Sequence, residues 1–135
     1  MKVAAALMFL VAVVGLGICQ NEFSIEDFTR SPSEHVINRI EAPFVVRSIR
    51  GLTTSTGVRE PFPGVLFELQ GPVPNRAIRK AIADRNGRFT IKHVQPGTYH
   101  FKATADGWQS VIGTITVSDK ADKRNEIRLD MRLGV

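Results

Sequence analysis

The feature that most constrains this chain is the alternation of apolar and polar residues, which recurs from Pro43 to the end of the sequence. It is clearest in residues 83–108, ADRNGRFTIKHVQPGTYHFKATADGW, where three glycine-containing turns interrupt the alternating runs. Successive side chains of a β-strand point to opposite faces of its sheet, so a period of two indicates strands that bury one face. The chain is therefore predicted to be an all-β domain of short strands.

Seven strands are predicted from this alternation, at about residues 45–50, 65–70, 78–83, 88–93, 99–104, 114–117 and 127–133. The stretch between the first two, GLTTSTGVREPFPG, is polar and rich in glycine and is predicted to be a loop. No convincing long helix separates the strands. Many short strands joined by turns fold as antiparallel sheets that pack face to face, so we expect a β-sandwich.

The turns of residues 83–108 are predicted to join neighbouring strands. Asn and Gly tolerate positive φ at low cost, so the NG pair in DRNG predicts a hairpin between the third and fourth strands. The parity of that pairing puts Ile82 on the same buried face as Phe89 and Ile91. In QPGT, Pro followed by Gly is typical of a type II turn, which would form a second hairpin. ADGW is the third turn.

The first 19 residues are predicted to be a cleaved signal peptide. Lys2 precedes an apolar run from Val3 to Cys19, as is typical of secretory signals. The protein is therefore expected to be secreted, periplasmic or on the cell surface. Two alternatives stay open: the run is at the lower length limit for a membrane span, and LGIC resembles the lipobox at which bacterial lipoproteins are lipidated, here on Cys19. Because Cys19 is the single cysteine, the chain has no internal disulfide.

Residues 20–42 are predicted to be a tether, and 43–135 the domain. The tether is polar with scattered apolar residues, and SIED and SPSEHVINRI each begin with a helix-start signal at Ser24 and Ser33. A short helical turn or helix is therefore expected within it. Once the signal is removed, the chain is long enough for one small domain and too short for two.

The pattern FPGVLFEL followed by ADRNGRFTIKHVQPGTYHFKATADGW resembles the carboxypeptidase regulatory-like domain. That family has a GV strand, then D-x-x-G-x-F, then V-x-P-G-x-Y, then an aromatic residue after a glycine. The positions that match are Asp84, Gly87, Phe89, Val94, Pro96, Gly97, Tyr99, Gly107 and Trp108. The resemblance covers about residues 43–133. It implies a seven-stranded, prealbumin-like sandwich of Greek-key type, found in exported proteins as an accessory or binding module without a common ligand.

Trp108 departs from the family pattern, in which the aromatic residue of the last turn is Tyr or Phe. An exposed Trp is suited to stacking on the apolar face of a sugar, so Trp108 is a candidate ligand contact. The alternative is that its ring covers the end of the sandwich core, because large aromatic side chains are highly buried on average.

The sequence predicts no catalytic, metal or cofactor site. His35, His93 and His100 are each without the H-x-x-E spacing that a zinc peptidase needs. G-x-S-x-G is absent, and the EF-hand likeness of DRNG lacks the later carboxylates. Intradiol dioxygenases share a related sandwich but bind iron through two Tyr and two His, which the single Tyr99 excludes. A metal held by His93 and His100 across their turn is a minor alternative.

The predicted function is therefore that of a non-catalytic, exported binding or accessory module. Its partner is expected to be an unidentified envelope protein or a glycan. A nucleic-acid partner is disfavoured, because the chain is expected to be exported and has no set of stacking aromatic residues, and because removal of Lys2 with the signal lowers the net charge of +5 by one. Membrane contact is expected only through the signal segment or lipidated Cys19. The alternative function is a structural or adhesion component that pairs through a sheet edge.

Overall fold

The computed structural model describes residues 25–32, 34, 36–72, 74 and 76–134, and the predicted signal peptide lies outside them. This part of the chain contains a 3-10 turn, nine strands and no α-helix. The turn is Ile25–Asp27, and the strands are β1 Ile37–Arg39, β2 Phe44–Val46, β3 Ile49–Ser55, β4 Leu66–Gln70, β5 Ile78–Ile82, β6 Arg88–Ile91, β7 Gly97–Thr104, β8 Ser110–Val117 and β9 Ile127–Met131.

The strands form two sheets. A six-stranded sheet has the order β1-β8-β7-β4-β5, with β2 also paired to β8, and a three-stranded sheet has the order β6-β3-β9. The prediction of an all-β sandwich is confirmed. The described part of the sandwich has nine strands rather than the predicted seven. Three pairings are parallel: β1 with β8, β2 with β8 and β3 with β9.

A stack of phenylalanine rings joins the two sheets through the core. Phe67 on β4 lies 4.3 Å from Phe89 on β6 and 5.5 Å from Phe101 on β7, measured between ring centroids, and both pairs are nearly parallel. The three side chains are at most 3% exposed. Burial of each contributes about 1.5–3 kcal/mol, so this stack is a large part of what holds the sheets together.

The first predicted strand, 45–50, is wrong in one respect, because β2 ends at Val46 and a separate strand, β3, begins at Ile49. β2 belongs to the six-stranded sheet and β3 to the three-stranded sheet, so the residues between them carry the chain across the sandwich. Val46 and Ile49 are both buried while Val45 is 46% exposed, a spacing that strict alternation does not allow. Part of the predicted loop is also strand, since β3 continues to Ser55.

The DRNG turn exists, but it does not join paired strands. Asp84 Oδ1 accepts hydrogen bonds from the backbone of Asn86 and Arg88 at 2.9 and 3.0 Å, which closes the turn. The flanking strands β5 and β6 then enter different sheets. The predicted burial of Ile82 is therefore wrong: its β4 partner is the outward-facing Leu66, and it is 68% exposed, whereas Ala83 is buried.

The QPGT turn is likewise a crossing between sheets, because β6 and β7 are not neighbours. The hairpin of this region is the third turn. β7 and β8 pair along seven positions from Gly97 with Val117 to Ala103 with Val111, and ADGW lies between them. Of the turns that punctuate residues 83–108, two therefore connect the sheets and one connects neighbouring strands.

The described part of residues 25–40 lies on the outer face of the six-stranded sheet, which is turned away from the other sheet, and ends in β1 at the edge of that sheet. We call this segment the N-terminal strap. The backbone N and Oγ1 of Thr29 donate hydrogen bonds to the Glu68 carboxylate at 3.0 and 3.2 Å. The Gln70 amide donates to Asp27 at 3.0 Å. The strap thus buries these polar groups of β4 and supplies hydrogen-bond partners for them at the same time.

An ion pair fixes the middle of the N-terminal strap. The Lys102 Nζ, which is fully buried, lies 2.6 Å from the Glu34 carboxylate. Burial alone would raise the pKa of Glu34, but hydrogen bonds from Lys102 and Ser110 and the positive charge of Lys102 lower it below its ordinary value of 4.5. Glu34 is therefore ionised at neutral pH and neutralises a buried ammonium group.

Of the two helix-start signals in the predicted tether, only the first precedes a helical turn. Ser24 is followed by the 3-10 turn Ile25–Asp27, and Ser33 by the strand Ile37–Arg39, which pairs with β8. The β-branched side chains of this segment favour a strand once a partner edge is available. The described part of residues 20–42 is thus packed on the sandwich.

Candidate functional site

The predicted turn residues lie at the two ends of the sandwich. The strand registers place Asp84, Gly87 and Gly107 at one end, which we call the upper end, and Pro96, Gly97 and Tyr99 at the other, the lower end. At the upper end, Gly87 has a φ of +73° and its carbonyl accepts a hydrogen bond from Thr53 N at 2.8 Å, while the Thr53 hydroxyl donates to the Phe62 carbonyl at 2.7 Å. Its role is to anchor the turn against β3.

Trp108 lies at the upper end over the core. Its ring packs edge to face on Phe62 with a centroid distance of 4.5 Å, and its backbone forms a bridge with Leu133. Gly134 N donates to the Gly107 carbonyl at 3.0 Å, so the chain end holds this turn in place. The ring is half-buried, which is the geometry of a core cap, and its remaining surface is what a ligand could contact.

The histidines that the structure describes take different positions. His93 follows β6 at the lower end, and His100 lies on the outer face of β7, opposite Gln70. Burial, and secondly the charge of Arg76, lower the pKa of His100 below its ordinary value of 6.5. Among the described residues no three His, Cys, Asp or Glu side chains form a group able to hold a metal. His35 lies outside the described residues.

A cleft of about 360 Å³ opens at the lower end, and we call it the lower cleft. Its walls are mostly apolar, and Arg79, His93 and Gln95 supply its polar side chains. The other lining residues are Leu69, Gly71, Pro72, Pro74, Ala77, Val94 and Tyr99. A concave, largely apolar surface of this size with a few polar groups is typical of ligand sites.

The sequence places the two walls of the lower cleft far apart. One wall is formed by Gly71, Pro72 and Pro74 of the loop after β4, and the other by the segment around the Pro-Gly turn before β7. They meet because β4 and β7 pair antiparallel, with Gln70 opposite His100. The prediction that Pro96, Gly97 and Tyr99 form a turn identified one wall only. The two prolines of GPVPN were the signal available for the other.

Arg79 and Tyr99 keep the cleft in shape. The Tyr99 hydroxyl donates to the Gln95 carbonyl at 2.6 Å, and the side chain is only 8% exposed. The Arg79 guanidinium donates to the carbonyls of Lys92 and His93 at 2.5 and 3.2 Å. His93 has a φ of +59°, a strained conformation for a residue with a side chain. Arg79 therefore holds a strained segment at the mouth of the cleft.

A second, more open depression of about 500 Å³ lies between β2 and the start of β9. Its arginines are already engaged: Arg124 pairs with Asp122, and Arg128 with Glu126, both at 3.2 Å. The two carboxylates offset the two guanidinium groups. This surface therefore has neither the apolar walls nor the free charge of the lower cleft.

The profile of the carboxypeptidase regulatory-like domain matches residues 48–130, more than half of the chain. The chain belongs to the carboxypeptidase regulatory-like domain family. The resemblance carried by the turn residues is confirmed, and so is the fold that it implied. This family is of a regulatory-like, non-catalytic type. No curated protein sequence matches the chain.

Among solved structures, 3-chlorocatechol 1,2-dioxygenase from Rhodococcus opacus 1CP is similar to this carboxypeptidase regulatory-like domain. The two share 12% sequence identity and a TM-score of 0.46, over 73% of this chain and 65% of the dioxygenase chain. A likeness this distant carries no argument about activity. In the described residues, no helix is both long and apolar enough to span a membrane.

Proposed function

We propose that this protein is an exported, non-catalytic binding module that recognises an envelope protein or a carbohydrate through the lower cleft. The observation that carries this proposal is the cleft itself, which is formed by two segments distant in sequence and held in shape by Arg79 and Tyr99. Groups fixed in advance lose little conformational entropy when a ligand binds.

Of the two ligand classes, the lower cleft supports a protein segment more than a sugar. Sugar recognition by stacking needs an accessible aromatic face, and Tyr99 is 8% exposed with its hydroxyl already hydrogen-bonded. Proline, valine and leucine walls suit an apolar side chain instead. Trp108, at the opposite end, keeps only part of its ring for contact with a glycan.

Edge pairing is the second candidate function. β5 is the last strand of the six-stranded sheet, so one of its edges is unpaired within the described residues. The exposed Ile82 on this strand could add apolar contact to a partner strand. Lys80 and Arg79 on the same strand disfavour uncontrolled pairing, because charged residues at an edge repel other strands.

The experiment fills the lower cleft and measures binding. Ala77→Trp puts a large side chain into the wall, and Ala42→Trp makes the same change at an exposed alanine that does not line the cleft. The labelled full chain and both variants are applied to a glycan array and to an array of peptides from envelope proteins. We expect the parent and Ala42→Trp to bind the same peptides and Ala77→Trp to lose at least tenfold in affinity.

Each result decides between surfaces. Binding that Ala77→Trp leaves unchanged would contradict the use of the lower cleft. In that case, loss of glycan binding in Trp108→Ala would support the upper end, and loss of binding after Ile82→Pro would support edge pairing. Absence of binding on both arrays would contradict a binding function. Circular dichroism and melting curves of each variant separate lost binding from lost folding.

A further inference from the structure

The lower cleft carries positive charge without a matching carboxylate. None of its described lining residues is acidic. The two segments that line it, residues 69–79 and 93–99, contain no Asp or Glu. The first segment contains Arg76 and Arg79, and Lys92 directly precedes the second. The cleft is therefore positive at neutral pH.

The position of this charge matters more than its amount. Arg79 lines the cleft directly, and its hydrogen bonds to the carbonyls of Lys92 and His93 hold the guanidinium at the mouth. Carbonyl oxygens orient the guanidinium but do not neutralise its charge. A guanidinium has five N–H donors, so donors remain for a carboxylate that approaches the mouth.

Several other basic residues of the surface are paired with carboxylates, whereas Arg47 and Arg50, like Arg79, donate to backbone carbonyls. Arg88 and Arg128 both lie within 3.3 Å of Glu126, and Arg124 is paired with Asp122. Lys80 lies 3.8 Å from Glu68. Asp122 offsets Arg124, and Glu126 is shared by two guanidinium groups, whereas no carboxylate lines the lower cleft. An anionic group of a ligand would supply what the cleft lacks.

An apolar wall beneath a positive rim points to a ligand with both properties. We infer that the lower cleft binds a peptide chain end, with its last apolar side chain against Pro72, Pro74 and Val94 and its terminal carboxylate at Arg79. This inference rests on the proposed binding function and deepens it by naming the ligand class. The cleft is open on one side, so the preceding residues of the peptide can leave toward solvent.

The test uses two fluorescein-labelled pentapeptides, glycine-serine-glycine-serine-leucine with a free carboxylate and the same peptide with a carboxamide end. Binding to the full chain is measured by fluorescence polarisation. We expect the carboxylate peptide to bind about tenfold more tightly, since hydrogen bonds to charged groups are worth more than those to neutral ones. The difference should shrink at high salt, because ions screen a surface charge.

Variants locate the contact. Arg79→Gln should lower the affinity for the carboxylate peptide about tenfold and leave the affinity for the carboxamide peptide little changed. Because Arg79 also supports the backbone of His93, Lys92→Gln serves as a second variant that removes charge without touching that support. Arg85→Gln at the upper end is the matched control. Gln95→Glu, which adds a carboxylate to the cleft, should lower the affinity for the carboxylate peptide more than the affinity for the carboxamide peptide.

The outcomes separate the two proposals. Equal binding of the two peptides, or a carboxylate preference that survives Arg79→Gln and Gln95→Glu, overturns the chain-end inference. If neither peptide binds but Ala77→Trp abolishes binding to an array ligand, the chain-end inference is wrong and the binding function stands. If neither experiment gives binding that Ala77→Trp abolishes, both proposals are wrong.

Discussion

Gly87 offers a sharp test of the fold, because two separate effects act on it. Its φ of +73° is a conformation that residues with a side chain avoid, at about 1–2 kcal/mol. A Cβ atom at this position would also lie 2.4 Å from the Thr53 carbonyl oxygen and 3.0 Å from Phe62 N, both backbone atoms that cannot move aside cheaply. Gly87→Ala therefore strains the turn and pushes it away from β3.

Gly107→Ala is the matched control for that substitution. Gly107 has a φ of +83°, and a Cβ atom there would meet nothing within 4 Å. It therefore carries the conformational effect alone, about 1–2 kcal/mol. Gly87→Ala adds the loss of the backbone hydrogen bond from Thr53 N to the Gly87 carbonyl, about 0.5–1.5 kcal/mol, for a total of about 1.5–3.5 kcal/mol.

Thermal unfolding of the two variants measures the difference. For a domain of this size, 1 kcal/mol corresponds to roughly 4–8 °C in Tm. Gly87→Ala should therefore lower Tm by roughly 6–28 °C and Gly107→Ala by roughly 4–16 °C, with the larger shift in Gly87→Ala. Equal shifts in the two variants would refute the packing of the DRNG turn on β3. An unchanged Tm in both would refute the positive φ values as well.

Three further predictions concern the strap, the upper end and the N-terminus. The pKa of Glu34 is lower in the folded than in the unfolded protein, so ionised Glu34 stabilises the fold above about pH 4.5, and this stabilisation is lost as the pH falls through the folded pKa. Glu34→Gln should therefore destabilise the protein at neutral pH and make its stability depend less on acid pH. Urea unfolding from pH 3 to 7 measures both effects. Trp108→Ala should lower stability by about 3 kcal/mol or less in chemical unfolding, since the ring is a half-buried cap, and an unchanged stability would contradict the packing on Phe62. N-terminal sequencing of exported protein should give a first residue near Gln20, whereas an intact Met1 would contradict cleavage, and labelling by palmitate would show lipidation of Cys19.

The strands of this domain could be predicted from the sequence because alternation is a local property. β4 and β7 each bury every second residue against the core, as their apolar positions indicate. Which strands pair is not local. Alternation assigns Ile82 to one face of β5 and Phe89 to one face of β6. Which face of each strand is buried depends on the strands that pair with it, and β5 pairs with β4 whereas β6 pairs with β3.

The polar residues of the central strands show a second limit. Glu68, Gln70 and Lys102 occupy positions that alternation assigns to solvent, yet each is at most 4% exposed. Their cover comes from the N-terminal strap, whose pairing with them depends on contacts between residues 30 or more positions apart. The turn at Pro96 and Gly97 could likewise be predicted from its residues. The cleft beside that turn could not, because it forms only when β4 pairs with β7.

The ion pair between Glu34 and Lys102 bears on how this domain can be transplanted. The segment that defines the family begins at residue 48, but the carboxylate that neutralises Lys102 lies upstream of it. A fusion protein that carried only residues 48–130 would receive a lysine in the middle of a sheet without its counter-charge, exposed on a face that the parent protein keeps covered. Recombination of the domain between proteins would then require the upstream segment to travel with it, or a new neighbour that offers a carboxylate at the same point.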